Sequence, residues 1–367
     1  MNFCDRLDAI CARMHQESLD LLVTLHDGAH FIEKPDPVMV LSGFKSLGPC
    51  AAVLARDGTT TLIVTPSWDA ARAAEGGPDT RIIAADDVVD GLKDIVDAER
   101  PTGIAGLSAT PWAIAHRVAQ FLPRARAADA MVFDVARRKT AAEIANAREA
   151  TRIAELGYRH LLDIARPGMS EDELAVETRW FTKSLGAEDN FLLLCAGPHN
   201  RAVAPSNGRK LQAGDIIVVE LTPSYRGQLA QICRTIVLGP ASDMLTRKYE
   251  LVVRAMNAGI RVARPGAVMA DVCSAINTVL EVEGYGEFCH PPHIRRRGHG
   301  LGFGTIQPGD VALDNAVVLE TDMLFMIHPN QYLPETGYLL CGEPVLITAG
   351  GAEPLTARQA ELATIQI

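Results

Sequence analysis

Two different rhythms divide this 367-residue sequence, and they constrain its fold more than any single motif. Over residues 1–130, short apolar runs (19–25, 38–41, 51–54, 60–64) alternate with helix-periodic stretches (6–18, 68–74, 88–98, 111–121), which predicts an α/β domain. From 131 to 367 the order changes. A long helix is expected over 141–165, a second opens at Ser170-Glu171-Asp172-Glu173, and strands follow at 190–195, 215–221 and 232–238. Helices at 244–263 and 268–283 and strands at 323–327 and 344–348 complete an α+β unit. Thr140 with Glu143, and Ser170 with Glu173, have the spacing of capping boxes.

Charge narrows the function classes. A net charge of −10 opposes general binding of nucleic acid or of an anionic membrane, which needs an excess of Lys and Arg on one face. No apolar run reaches the roughly 20 residues that span a bilayer, and the opening residues lack the order of a signal peptide, so a cytoplasmic protein is expected. The eight cysteines show no CxxC spacing and mostly sit in apolar runs, as buried hydrophobes do. Cys289, beside His290, is the one thiol with reactive company.

The densest chemistry lies at 298–304, Gly-His-Gly-Leu-Gly-Phe-Gly, preceded by Arg295-Arg296-Arg297 and by His290 and His293. Four glycines let the backbone turn tightly and present His299 with little bulk beside it. An arginine of the run, Arg295 or Arg297, is placed to clamp an anionic group. Glu220 ends the run 216–219 in phase with Ile216 and Val218, so it should point from an apolar surface into a cleft. A carboxylate there needs a partner: an imidazolium, Arg234 or a cationic substrate. In the first half, His26 and His30 flank a polar loop after a buried strand, where binding groups tend to be mounted.

Six segments in order carry a resemblance: Arg138-Lys139-Thr140, Arg166-Pro167-Gly168, Ala213-Gly214-Asp215, Arg234-Thr235, Gly298-His299-Gly300-Leu301-Gly302, and Leu319-Glu320-Thr321-Asp322-Met323 running on to His328-Pro329. Together they resemble the creatinase, prolidase and aminopeptidase P superfamily, and Leu41-Ser42-Gly43-Phe44 extends the likeness into the first half. The resemblance implies a creatinase-like N-terminal α/β domain and a pita-bread α+β catalytic domain. It further implies a homodimer in which the N-terminal domain covers the partner's site.

Peptidases of that superfamily hold two divalent metals with five side chains. Those slots read here as Glu220, Gln231, His299, His328 and Gly342, with Glu343 one residue beyond the last, and Ile306 replaces a second catalytic histidine. Two hard cations need several carboxylates, so a dinuclear site is not expected, and no cofactor is favoured. The reading favoured on these residues is a metal-independent, creatinase-like hydrolase cleaving a C–N bond in a small, polar, carboxylated nitrogen compound. In it His299, His328 and Glu220 are catalytic, Gln231 and Arg234 bind substrate beside an arginine of 295–297, and His199 stands in for a missing proton shuttle. Two alternatives stay open. One is a mononuclear-metal hydrolase or lyase of the same fold, Xaa-Pro peptidase-like by homology, with one divalent ion on Glu220, His299 and His328; the other is a pita-bread binding protein that has lost catalysis.

Overall fold

The protein is described from a computed structural model covering residues 2–75, 80–305 and 308–367. Position Ile306, read above as a lost histidine, lies outside the described residues. The chain separates into two compact units, Met1–Ala141 with Phe303–Gln307, and Ala142–Gly302 with Pro308–Ile367.

The first unit is built on a six-stranded mixed sheet. Its strands are β1 (Leu21–His26), β2 (Cys50–Ala55), β3 (Thr60–Val64), β4 (Thr80–Ala84), β5 (Thr102–Ala105) and β6 (Arg126–Ala127), in the order β4-β3-β2-β1-β5-β6. Every residue of β1 is buried, as expected of a strand covered on both faces. Leu21, Val23 and Leu25 pack in one core with Val89, Leu92 and Val118. Leu22 faces the other core with Ile10 and Met14 of helix Phe3–Gln16 and with Val38 and Leu41. By the same alternation His26, at the end of β1, shares the face of Leu22.

The run 38–41 is a helix, not the strand expected. Helix Pro37–Ser42 starts with Asp36 as N-cap, accepting from the Met39 amide at 2.9 Å, with Pro37 in the first turn and Gly43 closing it at φ 67°. An Asp-Pro start and a Gly stop outweigh the strand propensity of two valines.

The second unit carries a sheet ordered β17-β10-β8-β7, from β7 (Asn190–Gly197), β8 (Ile216–Tyr225), β10 (Ile232–Leu238) and β17 (Ala363–Ile365), with β9 (Gln228–Leu229) turning back on β8. Ile217, Val219 and Leu221 of β8 and Ile232, Ile236 and Leu238 of β10 point into a core shared with Leu161 and Leu174 of helices Ala141–Ile164 and Glu171–Ser184. A second, antiparallel sheet runs β11-β12-β15-β16, from β11 (Gly298–Gly300), β12 (Leu324–Ile327), β15 (Glu343–Thr348) and β16 (Gly351–Pro354). The hairpin of β13 (Gln331–Leu333) and β14 (Gly337–Leu339) follows His328. Cys233 of β10 and Gly342, just before β15, exchange two backbone hydrogen bonds of 3.3 and 3.2 Å, and this bridge brings the two sheets together. Helices Asp243–Val262 and Met269–Val282 complete the unit.

Candidate active site

Strand register assembles the site. Because Ile217, Val219 and Leu221 face the helices, Glu220 faces the other way, opposite Cys233 on β10. Glu220 is buried, and its hydrogen-bond partners are neutral: Asn330 Nδ2 donates to Oε1 at 3.0 Å, Gln231 Nε2 to Oε2 at 3.5 Å, and the Cys233 thiol lies 3.7 Å from Oε1. Burial raises the Glu220 pKa above its ordinary value, with the Cys233 and Asn330 contacts opposing the rise. Gln231 is buried too, and its Oε1 has no hydrogen-bond partner.

The two histidines come from neighbouring strands. His299 lies in β11, where Gly298 is required: at φ 150° a Cβ there would run into the Met326 carbonyl oxygen of β12. His299 Nδ1 lies 3.0 Å from the Gly300 carbonyl oxygen, which can only accept, so Nδ1 carries the proton and Nε2 the lone pair of the neutral ring. His328 leaves the end of β12, and its ring meets that of His299 edge-on at 5.2 Å between centroids. Burial first, and the adjacent His299 second, hold the His328 pKa well below the usual imidazole range, so this ring is neutral. Its Nδ1 is buried without a hydrogen-bond partner.

Gly342 explains where His328 sits. A Cβ at 342 would stand 2.5 Å from His328 Cβ, 2.6 Å from Met326 Cε and 3.0 Å from His328 Cα, so a side chain at 342 needs the backbone at 328 or Met326 to shift. The neighbouring Glu343 is no substitute, because it turns to the opposite side and pairs with Arg234 Nη2 at 3.1 Å. Thr356 Oγ1 and the Ala360 amide donate to the same carboxylate, both at 2.6 Å.

The two-metal set of the resembling peptidases therefore does not fit. One slot is an amide, one is a glycine with no room for a side chain, and the adjacent carboxylate is consumed by an internal guanidinium. Among the described residues, Glu220, His299 and His328 also do not gather their ligand atoms as a metal cluster; the one cluster that does is His26, His30 and Asp36.

The other expected site residues are dispersed. Arg234 lies on the helix side of β10, away from Glu220, and its Nη1 donates to the Cys233 and Gly342 carbonyls at 3.0 and 2.7 Å. Arg295 is exposed. Arg297 is buried and tethered to Asn277 Oδ1, the Pro329 carbonyl and Gln331 Oε1 at 2.7, 3.1 and 2.9 Å, so it braces the segment after His328. His199 is exposed, with Nε2 donating to the Pro334 carbonyl at 3.0 Å. His26 and His30 belong to the first unit. Cys289 is buried, donates to the Tyr285 carbonyl and has its pKa raised by burial, opposite to what a reactive thiol needs. Asn330, which holds Glu220, was not anticipated; its signal was the Pro-Asn step after His328.

Comparison with known proteins places this arrangement. The model of metallopeptidase family M24 matches residues 145–349. The chain belongs to metallopeptidase family M24. Across 361 residues, 98% of this M24 chain and 99% of the relative, it is 25% identical to a Xaa-Pro dipeptidase of Pyrococcus furiosus. It is 27% identical over 227 residues to the uncharacterized peptidase YqhT of Bacillus subtilis, a match spanning 61% of this chain and 63% of that protein. Among solved structures, the prolidase of Pyrococcus horikoshii OT3 superposes with a TM-score of 0.84 at 22% identity, covering 98% and 99% of the two chains. The X-Pro aminopeptidase of Thermotoga maritima gives 0.84 at 20% identity, with the same coverage. These likenesses establish the fold as an N-terminal α/β domain followed by a pita-bread domain.

One expectation is corrected. The metal-independent, creatinase-like, non-peptidase reading rested on the exchanged residues at a few ligand slots, whereas the relative matching this M24 chain end to end is a dipeptidase. Local substitutions in a site alter its chemistry without moving the chain out of the peptidase lineage. Among the described residues, no helix is long and apolar enough to cross a membrane.

Proposed function

We propose that this M24 chain is a peptidase-type hydrolase that cleaves the amide C–N bond of small Xaa-Pro-like dipeptides. The observation that carries this reading is its end-to-end relationship to a Xaa-Pro dipeptidase, with the glycine-flanked His299 kept among buried polar side chains. These side chains suit the amino end of such a substrate. Glu220 is a buried carboxylate with neutral partners, and Gln231 Oε1 is a buried acceptor with none, so an incoming α-ammonium supplies both the missing charge and the missing donor.

The lone pair on His299 Nε2 makes it the acceptor for a proton of the attacking water, and the same proton then goes to the leaving nitrogen as the C–N bond breaks. His328, neutral and packed edge-on, fixes the orientation of the His299 ring. Because the residues do not fit a two-ion set, no step is assigned to a metal.

The test is hydrolysis of a panel of Xaa-Pro dipeptides by the full chain, both after chelation and with added Mn2+ or Co2+. Cleavage that is lost in His299→Ala and Glu220→Gln, with each variant folded, supports the reading; no cleavage of any Xaa-Pro dipeptide under either condition overturns it. A second reading, binding without turnover, is favoured by the exchange at the ligand slots and predicts dipeptide binding that Glu220→Gln weakens while no product forms.

A further inference from the structure

We propose that the N-terminal unit holds its own mononuclear site for a zinc-class divalent ion, formed by His26, His30 and Asp36. The ligand atoms of these residues lie within 4.8 Å of one another. Asp36 Oδ2 stands 3.5 Å from His26 Nδ1 and 3.4 Å from His30 Nδ1. Both separations exceed a good hydrogen bond, and both match two ligands on one tetrahedral ion. Bonds of about 2.0–2.1 Å at a tetrahedral angle put donor atoms about 3.3–3.4 Å apart.

The His30 tautomer leaves an unprotonated nitrogen facing Asp36. His30 Nε2 lies 2.8 Å from the Ser46 carbonyl oxygen, a contact that needs an N–H there, so Nδ1 holds the lone pair of the neutral ring. A ring nitrogen tied to a carbonyl while the other meets the ion is the usual outer support of a metal-bound histidine. His26 Nδ1 accepts from the Gly28 amide at 3.1 Å and is likewise unprotonated; an ion would take over that lone pair from a loop amide.

Asp36 is the independent sign of a ligand. It is 3% exposed, its Oδ1 is used as the N-cap of helix Pro37–Ser42, and its Oδ2 has no hydrogen-bond partner while it points at the two imidazoles. A buried carboxylate oxygen facing an imidazole lone pair is costly unless a cation or a proton stands between them. Two histidines and one carboxylate form a recurrent set for zinc or ferrous ions. The His30 side chain is 19% exposed, which gives the ion an entry path. The rings of His26 and His30 stack at 4.6 Å between centroids, keeping both nitrogens on one side.

The experiment is titration of the chelated, dialysed full chain with Co2+, read by visible d–d absorption and by calorimetry. The expected result is one equivalent bound with a nitrogen- and oxygen-ligand spectrum lacking a thiolate band, retained in His299→Ala. Binding should weaken in His30→Ala and in Asp36→Asn by more than the roughly 10- to 100-fold typical of losing an outer partner. Asp36→Asn keeps the capping oxygen, so it separates loss of a ligand from loss of the fold, which circular dichroism checks. The site is refuted if the wild-type chain binds no Co2+, if its spectrum is that of thiolate ligation, or if His30→Ala and Asp36→Asn bind Co2+ as tightly as the wild type.

Discussion

Arg234 and Glu343, 109 residues apart in sequence, face each other at 3.1 Å in the interior of the second unit, with side chains 4% and 0% exposed. The pair decides the chemistry next to it: the one carboxylate within a residue of the last family ligand slot is spent on an internal cation, on the far side of β10 from Glu220. Removing Glu343 leaves a buried guanidinium without its counter-charge. Glu343→Ala should therefore lose about 3–5 kcal/mol of stability, measured by urea denaturation. A loss under about 1 kcal/mol would mean that the pair behaves as a solvated one.

Gly342→Ala tests how tightly position 342 packs against His328. The new Cβ meets His328 Cβ at 2.5 Å and Met326 Cε at 2.6 Å, so the chain at 328 or Met326 has to shift. Overpacking of this kind costs about 1–3 kcal/mol. If His328 fixes the His299 ring, the same change lowers kcat on any substrate found; an unchanged kcat together with an unchanged melting temperature would show that the packing at 342 has slack.

Asn330 holds Glu220 Oε1 with one end of its amide and accepts from the Cys341 amide at 3.1 Å with the other. Truncation to alanine leaves two buried polar groups unmet, each costing about 1–3 kcal/mol. Asn330→Asp should be worse for function than for shape, since it sets a second carboxylate against Glu220. The comparison to make is dipeptide KM against melting temperature for the two variants.

Helix Glu171–Ser184 should show an acid-sensitive start. Glu173 accepts from the Ser170 amide at 2.6 Å and from the Ser170 hydroxyl, with Lys210 nearby, and these contacts hold its pKa at about 2 against an ordinary 4.5. A lowered folded-state pKa means that the carboxylate's contribution is complete above the ordinary value and fades as pH falls from about 4.5 to about 2. Glu173→Gln should flatten that part of the pH dependence of the melting temperature; an identical profile in the variant would remove the capping box from the account.

Much of the fold was legible locally. The strand at 232–238 lies where alternation and apolar content placed it, the Ser170–Glu173 box caps its helix, and β3 at 60–64 runs between the bounds set by its turn residues. The outward phase of Glu220 also followed from the period of two in β8. Where reading failed locally, as at Pro37–Ser42, the capping residues were present but were outweighed by the run of apolar side chains.

What the chain alone determined, then, were most of its secondary elements, its superfamily and the survival of His299 among exchanged ligand slots, because periodicity, caps and motif order are written in neighbouring residues. Only the tertiary structure decided that Glu343 serves Arg234, that Asn330 holds Glu220 across 110 residues, that position 342 lies too close to His328 and Met326 for a side chain, and that Asp36 meets His26 and His30. Partnerships of that kind depend on which strand faces and loop ends are packed together, and that packing is settled by the whole core rather than by any segment of sequence.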